Sequence, residues 1–261
     1  MSRTSDVERI REGLRAAAEA VRPFTPGDVA AERKVERDDP VTAADHAADA
    51  VLRATLPRPG EGWLSEESVD DPARLTAHRV WVVDPIDGTR EFIEGIPEWC
   101  ISIGLLEGGR PVAGGIFNPE TDEMVVGSVE EGVTYNGEPA GVTDPAAHDA
   151  VTVLASRSEV RRGEWERFQN GRFIVKPCGS VAYKMALVAA GLADATWTLV
   201  GKSEWDVVGG AALVNAAGGL VTLADGARPS FNQPHPVYPN FVAAGERLHG
   251  ALVGGWLETG S

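Results

Sequence analysis

The sequence predicts two halves of different build, an α+β half followed by an α/β half. The first observation is a set of three apolar stretches, residues 100–106, 111–117 and 123–129, rich in Ile, Val and Leu. Glu107-Gly108-Gly109 and Asn118-Pro119-Glu120-Thr121 separate them as turns, so the set reads as an antiparallel meander. The second is a change of pattern near residue 145, after which short strands alternate with helical stretches. The third is bulk composition: 261 residues, 43% hydrophobic and 24% charged, which suits a globular chain with one large domain or two packed subdomains. The division is expected at residues 1–145 and 146–261.

In chain order, Val7, Ile10, Leu14, Ala17, Ala18 and Val21 recur at spacings of three and four, which predicts an amphipathic helix over 5–22 that Pro23 and Pro26 end. A polar segment, 32–39, follows. Thr42 can cap a second helix running to Leu56, with Asp45 completing a capping box. That local role for Asp45 competes evenly with a functional one. Trp63-Leu64-Ser65 is a short strand entering Glu66-Glu67, and Val80 to Val83 form a buried strand that runs into Asp84 and Asp87. Past the meander come strand 151–154, helix 159–169, strand 172–176, a Gly179-Ser180 step opening helix 181–190, and strand 194–199. A helix from Glu204 to Ala217, strands 220–223 and 241–244, and a helix from Glu246 to Trp256 close the chain. Residues 232–239, with three prolines, read as a surface loop.

The net charge of −15 argues against a nucleic-acid polymer as partner but leaves room for a small phosphorylated substrate if metal ions supply positive charge locally. Cys100 and Cys178 show no paired-ligand spacing and read as reduced, part-buried thiols of a cytoplasmic protein. The first residues are charged and lack a signal-peptide core. The longest near-apolar run, 207–224, is broken by Asn215 and Gly218-Gly219, so no membrane span is expected.

The chemistry gathers at Val80-Trp81-Val82-Val83-Asp84-Pro85-Ile86-Asp87-Gly88-Thr89-Arg90-Glu91-Phe92. An apolar strand anchors a turn, Pro85 fixes its own φ, and Gly88 permits a positive one. Two carboxylates beside free N–H groups are what hard cations and phosphate oxygens require. Glu66 and Asp206 also stand at element ends, although Ser203-Glu204-Trp205-Asp206 is also a possible capping box. Together the four acids suffice for two Mg²⁺ ions that clamp a phosphoryl group.

These stretches resemble the inositol monophosphatase superfamily of Mg²⁺-dependent, typically lithium-sensitive phosphatases. Leu64-Ser65-Glu66-Glu67-Ser68 is similar to its first acidic motif. Trp81 to Thr89 resembles its central signature, and Trp205-Asp206 with Gly209-Gly210 and Ala216-Ala217-Gly218-Gly219 its C-terminal one. The resemblance implies a layered α-β-α-β-α sandwich of the inositol monophosphatase and sugar phosphatase type, commonly a homodimer, with its site between the halves. It implies Glu66, Asp84, the Ile86 carbonyl, Asp87 and Asp206 as ligands of two or three Mg²⁺ ions. The N–H groups of Gly88 and Thr89 would hold the phosphate, while Asp87, Ser180, Lys184 and Asp206 would face the substrate. Thr89 and Asp45 would orient and deprotonate the attacking water, assisted by Glu66.

Arg90-Glu91-Phe92 and Ser203-Glu204-Trp205-Asp206 resemble the 3′(2′),5′-bisphosphate nucleotidases of the CysQ type. Lys184 is then expected to meet a second phosphate as a point charge, against the alternative of a solvated helix lysine. Trp197-Thr198-Leu199 lacks the acid that inositol phosphatases tend to carry there. The expected substrate is 3′-phosphoadenosine 5′-phosphate, with inositol or a related sugar phosphate next and fructose 1,6-bisphosphate less so. A haloacid-dehalogenase reading founders on acids three apart rather than two. Dinucleotide binding lacks Gly-x-Gly-x-x-Gly, and zinc hydrolysis lacks a His cluster. A non-catalytic phosphate-binding protein is the remote alternative.

Overall fold

A computed structural model describes residues 3–33, 40–145, 150–169 and 171–256. Five layers alternate helix and sheet. The first is made by helices Arg3–Val21 and Ala43–Thr55. Their apolar faces, Ile10, Leu14, Ala48 and Leu52 among them, are buried on one side of a seven-stranded sheet. Helices Val181–Ala189 and Glu204–Ala216 cover its other side. Beyond them lies a five-stranded sheet, and helix Glu246–Ala251 with the aromatic group Trp165, Phe168, Phe173 and Trp197 packs on its outer face. This is the layered sandwich expected from the sequence resemblance.

The seven-stranded sheet runs Gly62–Ser65, Arg79–Asp87, Cys100–Glu107, Arg110–Asn118, Glu123–Ser128, Gly132–Tyr135 and Glu138–Ala140 in spatial order. Only its first pair is parallel. The three expected meander strands are present, and two short strands not foreseen extend the sheet. In the five-stranded sheet the order is Phe173–Cys178, Val151–Ser156, Ala195–Trp197, Val242–Gly245 and Gly219–Thr222, with the first two pairings parallel.

Several boundaries differ from the sequence reading. The strand expected at 80–83 continues to Asp87, with a register shift between Asp84 and Asp87 that turns both acids out of strict alternation. Helix Thr89–Glu94 follows it unannounced. The helix expected over 159–169 is only Arg157–Arg161; Gly163 then takes a φ of 77°, and the chain turns so that Trp165 and Phe168 enter the core. The last helix stops at Ala251 and passes into a wider turn. Residues 34–39 of the polar segment lie outside the described residues.

The expected 232–239 surface loop is tied down. Val237–Tyr238 pairs with Lys202–Ser203, and the N–H groups of Asn232 and Gln233 donate to the buried Glu204 carboxylate at 2.8 Å each. The loop thereby anchors the start of helix Glu204–Ala216. The same helix lies almost backbone to backbone on the sheet. A Cβ added to Gly104 would stand 2.8 Å from the Gly209 nitrogen, and one on Gly209 would stand 2.7 Å from Ser102 Oγ. Among the described residues no helix is long and apolar enough to cross a membrane.

Candidate active site

Glu66, Asp84, Asp87 and Asp206 line one cleft of about 640 Å³ between the two sheets, and Asp45 does not. Strand Gly62–Ser65 ends beside strand Arg79–Asp87, so Glu66 emerges next to Asp84, and the Glu66 N–H donates to the Val83 carbonyl. Helix Glu204–Ala216 brings Asp206 in from the opposite side in its first turn. One carboxylate oxygen from each of Glu66, Asp84 and Asp206 lies within 4.8 Å of the others. Asp84 is 2% exposed. Burial raises its pKa well above the ordinary aspartate value, and the charges of Glu66, Asp87, Asp206 and Asp45 add to the effect. Asp206 is pushed up to about 8 by burial and by Asp87, against an opposing pull from Lys202. An all-oxygen trio this close, with protonation favoured by mutual repulsion, is chemistry that a hard divalent cation would relieve.

Asp87 lies outside that trio, in the same cleft. Its Oδ2 accepts from Ser180 Oγ at 2.7 Å and from the Ala182 N–H at 2.5 Å. Ile86 N–H donates to Asp84 Oδ1 at 3.1 Å, so the bulge between the acids is closed by the first of them. Gly88 then adopts a φ of 98°. A Cβ there would stand 3.0 Å from the Glu98 carbonyl oxygen, so both conformation and space call for glycine.

Asp45 is fully buried beneath Thr89. It closes the expected capping box, with Oδ2 accepting from the Thr42 N–H at 2.8 Å and Thr42 Oγ1 at 2.6 Å. Its other oxygen, Oδ1, faces Thr89 Oγ1 at 3.1 Å, and Thr89 Oγ1 is also 3.0 Å from the Ile86 carbonyl. One oxygen of Asp45 thus closes the capping box, and the other meets Thr89 at the edge of the cleft. Asp206 is similarly divided, since its Oδ2 accepts the Ser203 N–H at 2.9 Å while the group faces the cleft.

Lys184 is not the solvated helix lysine that the sequence allowed. It is 1% exposed, and its Nζ donates to the carbonyl of Ser180 at 2.6 Å, with those of Cys178 and Gly179 at 3.4 and 3.5 Å. Burial lowers its pKa. The ammonium thus faces backbone carbonyls and braces the turn in which Ser180, a non-glycine residue, holds a φ of 52°. On the other side of that turn the Gly179 N–H donates to Glu98 Oε2 at 2.7 Å, and Arg157 grips the same carboxylate through Nε at 3.0 Å. Glu98, Arg157 and Lys202 escaped the sequence reading. Nothing local marks them, because each acts across more than fifty residues or from a two-residue strand.

The family model described as Inositol monophosphatase family matches residues 4–254. Inositol-1-monophosphatase of Mesorhizobium japonicum is 33% identical over 218 residues, covering 78% of this chain and 79% of that protein. The crystal structure of the extragenic suppressor protein suhB from Bartonella henselae superposes with a TM-score of 0.80 at 26% identity, covering 97% of each chain. The structure of CysQ from Bacteroides thetaiotaomicron, described as a bacterial member of the inositol monophosphatase family, superposes with a TM-score of 0.75 at 26% identity over 93% of this chain and 98% of that one.

Proposed function

The chain belongs to the inositol monophosphatase family, and from that premise we propose that it hydrolyses a small phosphate monoester by direct attack of water, with two Mg²⁺ ions as cofactors. The observation that carries the reading is the convergence of Glu66, Asp84 and Asp206 within 4.8 Å beside the Gly88–Thr89 turn. Asp87 and the Ile86 carbonyl would complete the ligand set. Bound there, the ions would neutralise phosphate charge and lower the pKa of a water, which is most of what phosphoryl transfer needs.

The chain's own groups divide the remaining work. The N–H groups of Gly88 and Thr89 would hold phosphate oxygens. Thr89 Oγ1 points its proton at Asp45 or the Ile86 carbonyl, which leaves a lone pair free to accept a proton from water. Asp45, held through its other oxygen by Thr42, would take the Thr89 hydroxyl proton as the water's proton passes to Oγ1. Glu66 would assist from the opposite side of the water. Ser180 and the Ala182 N–H hold Asp87 in place, and the metal-facing oxygens are thereby fixed before substrate arrives.

The preferred substrate in this reading is 3′-phosphoadenosine 5′-phosphate, losing its 3′-phosphate. Arg90-Glu91-Phe92 and the cationic far wall of the cleft support it. Leu199 lines a separate cavity, so no side chain at 197–199 offers the cleft an acid for sugar hydroxyls. Inositol 1-phosphate is the second reading, favoured by the name of the 33% identical relative. Phosphate release with Mg²⁺ from the nucleotide, inositol 1-phosphate and fructose 1,6-bisphosphate, compared as kcat/KM, tests it. A preference for the nucleotide supports the first reading, and a preference for either of the others overturns it. Release from none overturns the phosphatase itself. A homodimer in a reducing cytoplasm, sensitive to lithium, goes with the same reading; gel filtration and a lithium titration test its first and last parts.

A further inference from the structure

The cleft extends well past the phosphate turn, and four basic residues line it: Arg90, Arg162, Lys184 and Lys202. Three of them are committed. Arg162 holds Glu164 through Nε at 2.5 Å and Nη2 at 3.2 Å. Lys184 is turned onto three carbonyls. Arg90 has a partner of its own. Among the described residues no hydrogen bond or ion pair holds the Lys202 ammonium.

Its backbone is nonetheless fixed. Lys202 sits opposite Tyr238 in a two-residue ladder, four positions before Asp206, and Val200 and Gly201 continue the same wall. The side chain is part-buried, and its charge pulls against the rise in the Asp206 pKa. A part-buried ammonium that lines the cleft with no direct hydrogen-bond or ion-pair partner has its donors available to a ligand. A ligand anion reaching it would form a charge-assisted hydrogen bond.

We propose that Lys202 reads a second anionic group on the substrate, so that the preferred substrate class is a bisphosphorylated small molecule. The scissile phosphate would lie at Gly88–Thr89 and the second phosphate at Lys202. The proposal rests on the phosphatase reading above and moves the specificity contact from Lys184 to Lys202. Its rival is that Lys202 only offsets the charge of Asp206, in which case its loss would act through the acidic cluster and affect every substrate alike.

The experiment compares wild type, Lys202→Met and Lys202→Arg on 3′-phosphoadenosine 5′-phosphate and adenosine 3′-monophosphate, two substrates that differ only in the second phosphate. A parallel pair is inositol 1,4-bisphosphate and inositol 1-phosphate. Lys202→Met is expected to lower kcat/KM for the bisphosphate about 10- to 100-fold, the loss of one charge-assisted hydrogen bond, mainly through KM. The loss on the monophosphate should be much smaller, since only the bisphosphate carries the group that Lys202 would meet, and Lys202→Arg should keep most of the preference. Equal loss on both members of a pair, or loss on neither, overturns the assignment. Wild type active on monophosphates yet no better on bisphosphates overturns this inference while the phosphatase stands. Wild type inert on all four overturns both.

Discussion

Two residues carry contrasting lessons about charge in the cleft. Asp87 uses one oxygen to accept from Ser180 and Ala182, and an asparagine carbonyl can accept the same two bonds. Asp87→Asn should therefore keep the thermal midpoint near wild type. It should lower turnover at least about 100-fold, since even groups one step removed from a metal are worth about 10- to 100-fold. Wild-type-like turnover in this variant would remove Asp87 from the ligand set. Lys184 acts through the backbone. Its ammonium stabilises a turn in which Ser180 sits in a conformation that costs about 1–3 kcal/mol. Lys184→Met should loosen the grip of Ser180 and Ala182 on Asp87 and lower kcat/KM about tenfold, by the same factor for mono- and bisphosphates. A selective loss on bisphosphates would instead restore Lys184 as a phosphate contact.

Among the elements, helix Glu204–Ala216 decides where the third carboxylate of the trio goes. Its position is set by glycine contacts rather than by an apolar stripe: Gly104 and Gly114 on the sheet meet Gly209 on the helix. An alanine at 209 would place a methyl carbon 2.7 Å from Ser102 Oγ and 3.0 Å from the Ile103 carbonyl oxygen. Ser102 Oγ can turn away but the Ile103 carbonyl cannot yield without moving the strand, so Gly209→Ala should cost about 1–3 kcal/mol in denaturant unfolding. Because Asp206 lies one turn earlier, the Mg²⁺ concentration for half-maximal activity should also rise; an unchanged Mg²⁺ requirement would show that the helix start is held by Glu204 and its loop alone. Strand Arg79–Asp87 is secured from the other side. Glu61 accepts from Trp81 Nε1 at 2.8 Å and from Arg79 and Arg9 at 2.9 and 3.1 Å, tying the first helix to the strand that carries Asp84. Burial alone would raise the Glu61 pKa, and these donors hold it below the ordinary value.

For the whole molecule, the acidic cluster links stability to pH and, in the proposed phosphatase reading, to metal. Asp84 and Asp206 have folded-state pKa values above their ordinary 3.8, Asp206 at about 8. Across that window the metal-free fold binds protons that the unfolded chain has released, so its stability falls as pH rises toward 8. A divalent cation that binds only the folded cluster reverses the trend. The thermal midpoint in chelator should fall between about pH 6 and pH 8, and the gain on adding Mg²⁺ should be larger at the higher pH, where ligands need not shed protons. A gain independent of pH would separate the cluster from the metal. The sequence by itself determined the meander, the α/β alternation and the acids at strand and helix ends, because period, turn residues and motif spacing are local. It also placed Thr42, Asp45, Ser203 and Asp206 in their capping boxes, since those bonds span three residues. Only the tertiary structure decided which carboxylates converge, that Asp45 reaches Thr89, that Lys184 turns inward, and that residues 232–239 anchor Glu204. Those outcomes depend on how two sheets and the helices between them approach one another. That approach is set by burial and close backbone packing between residues far apart in the chain, for which a local pattern carries no signal.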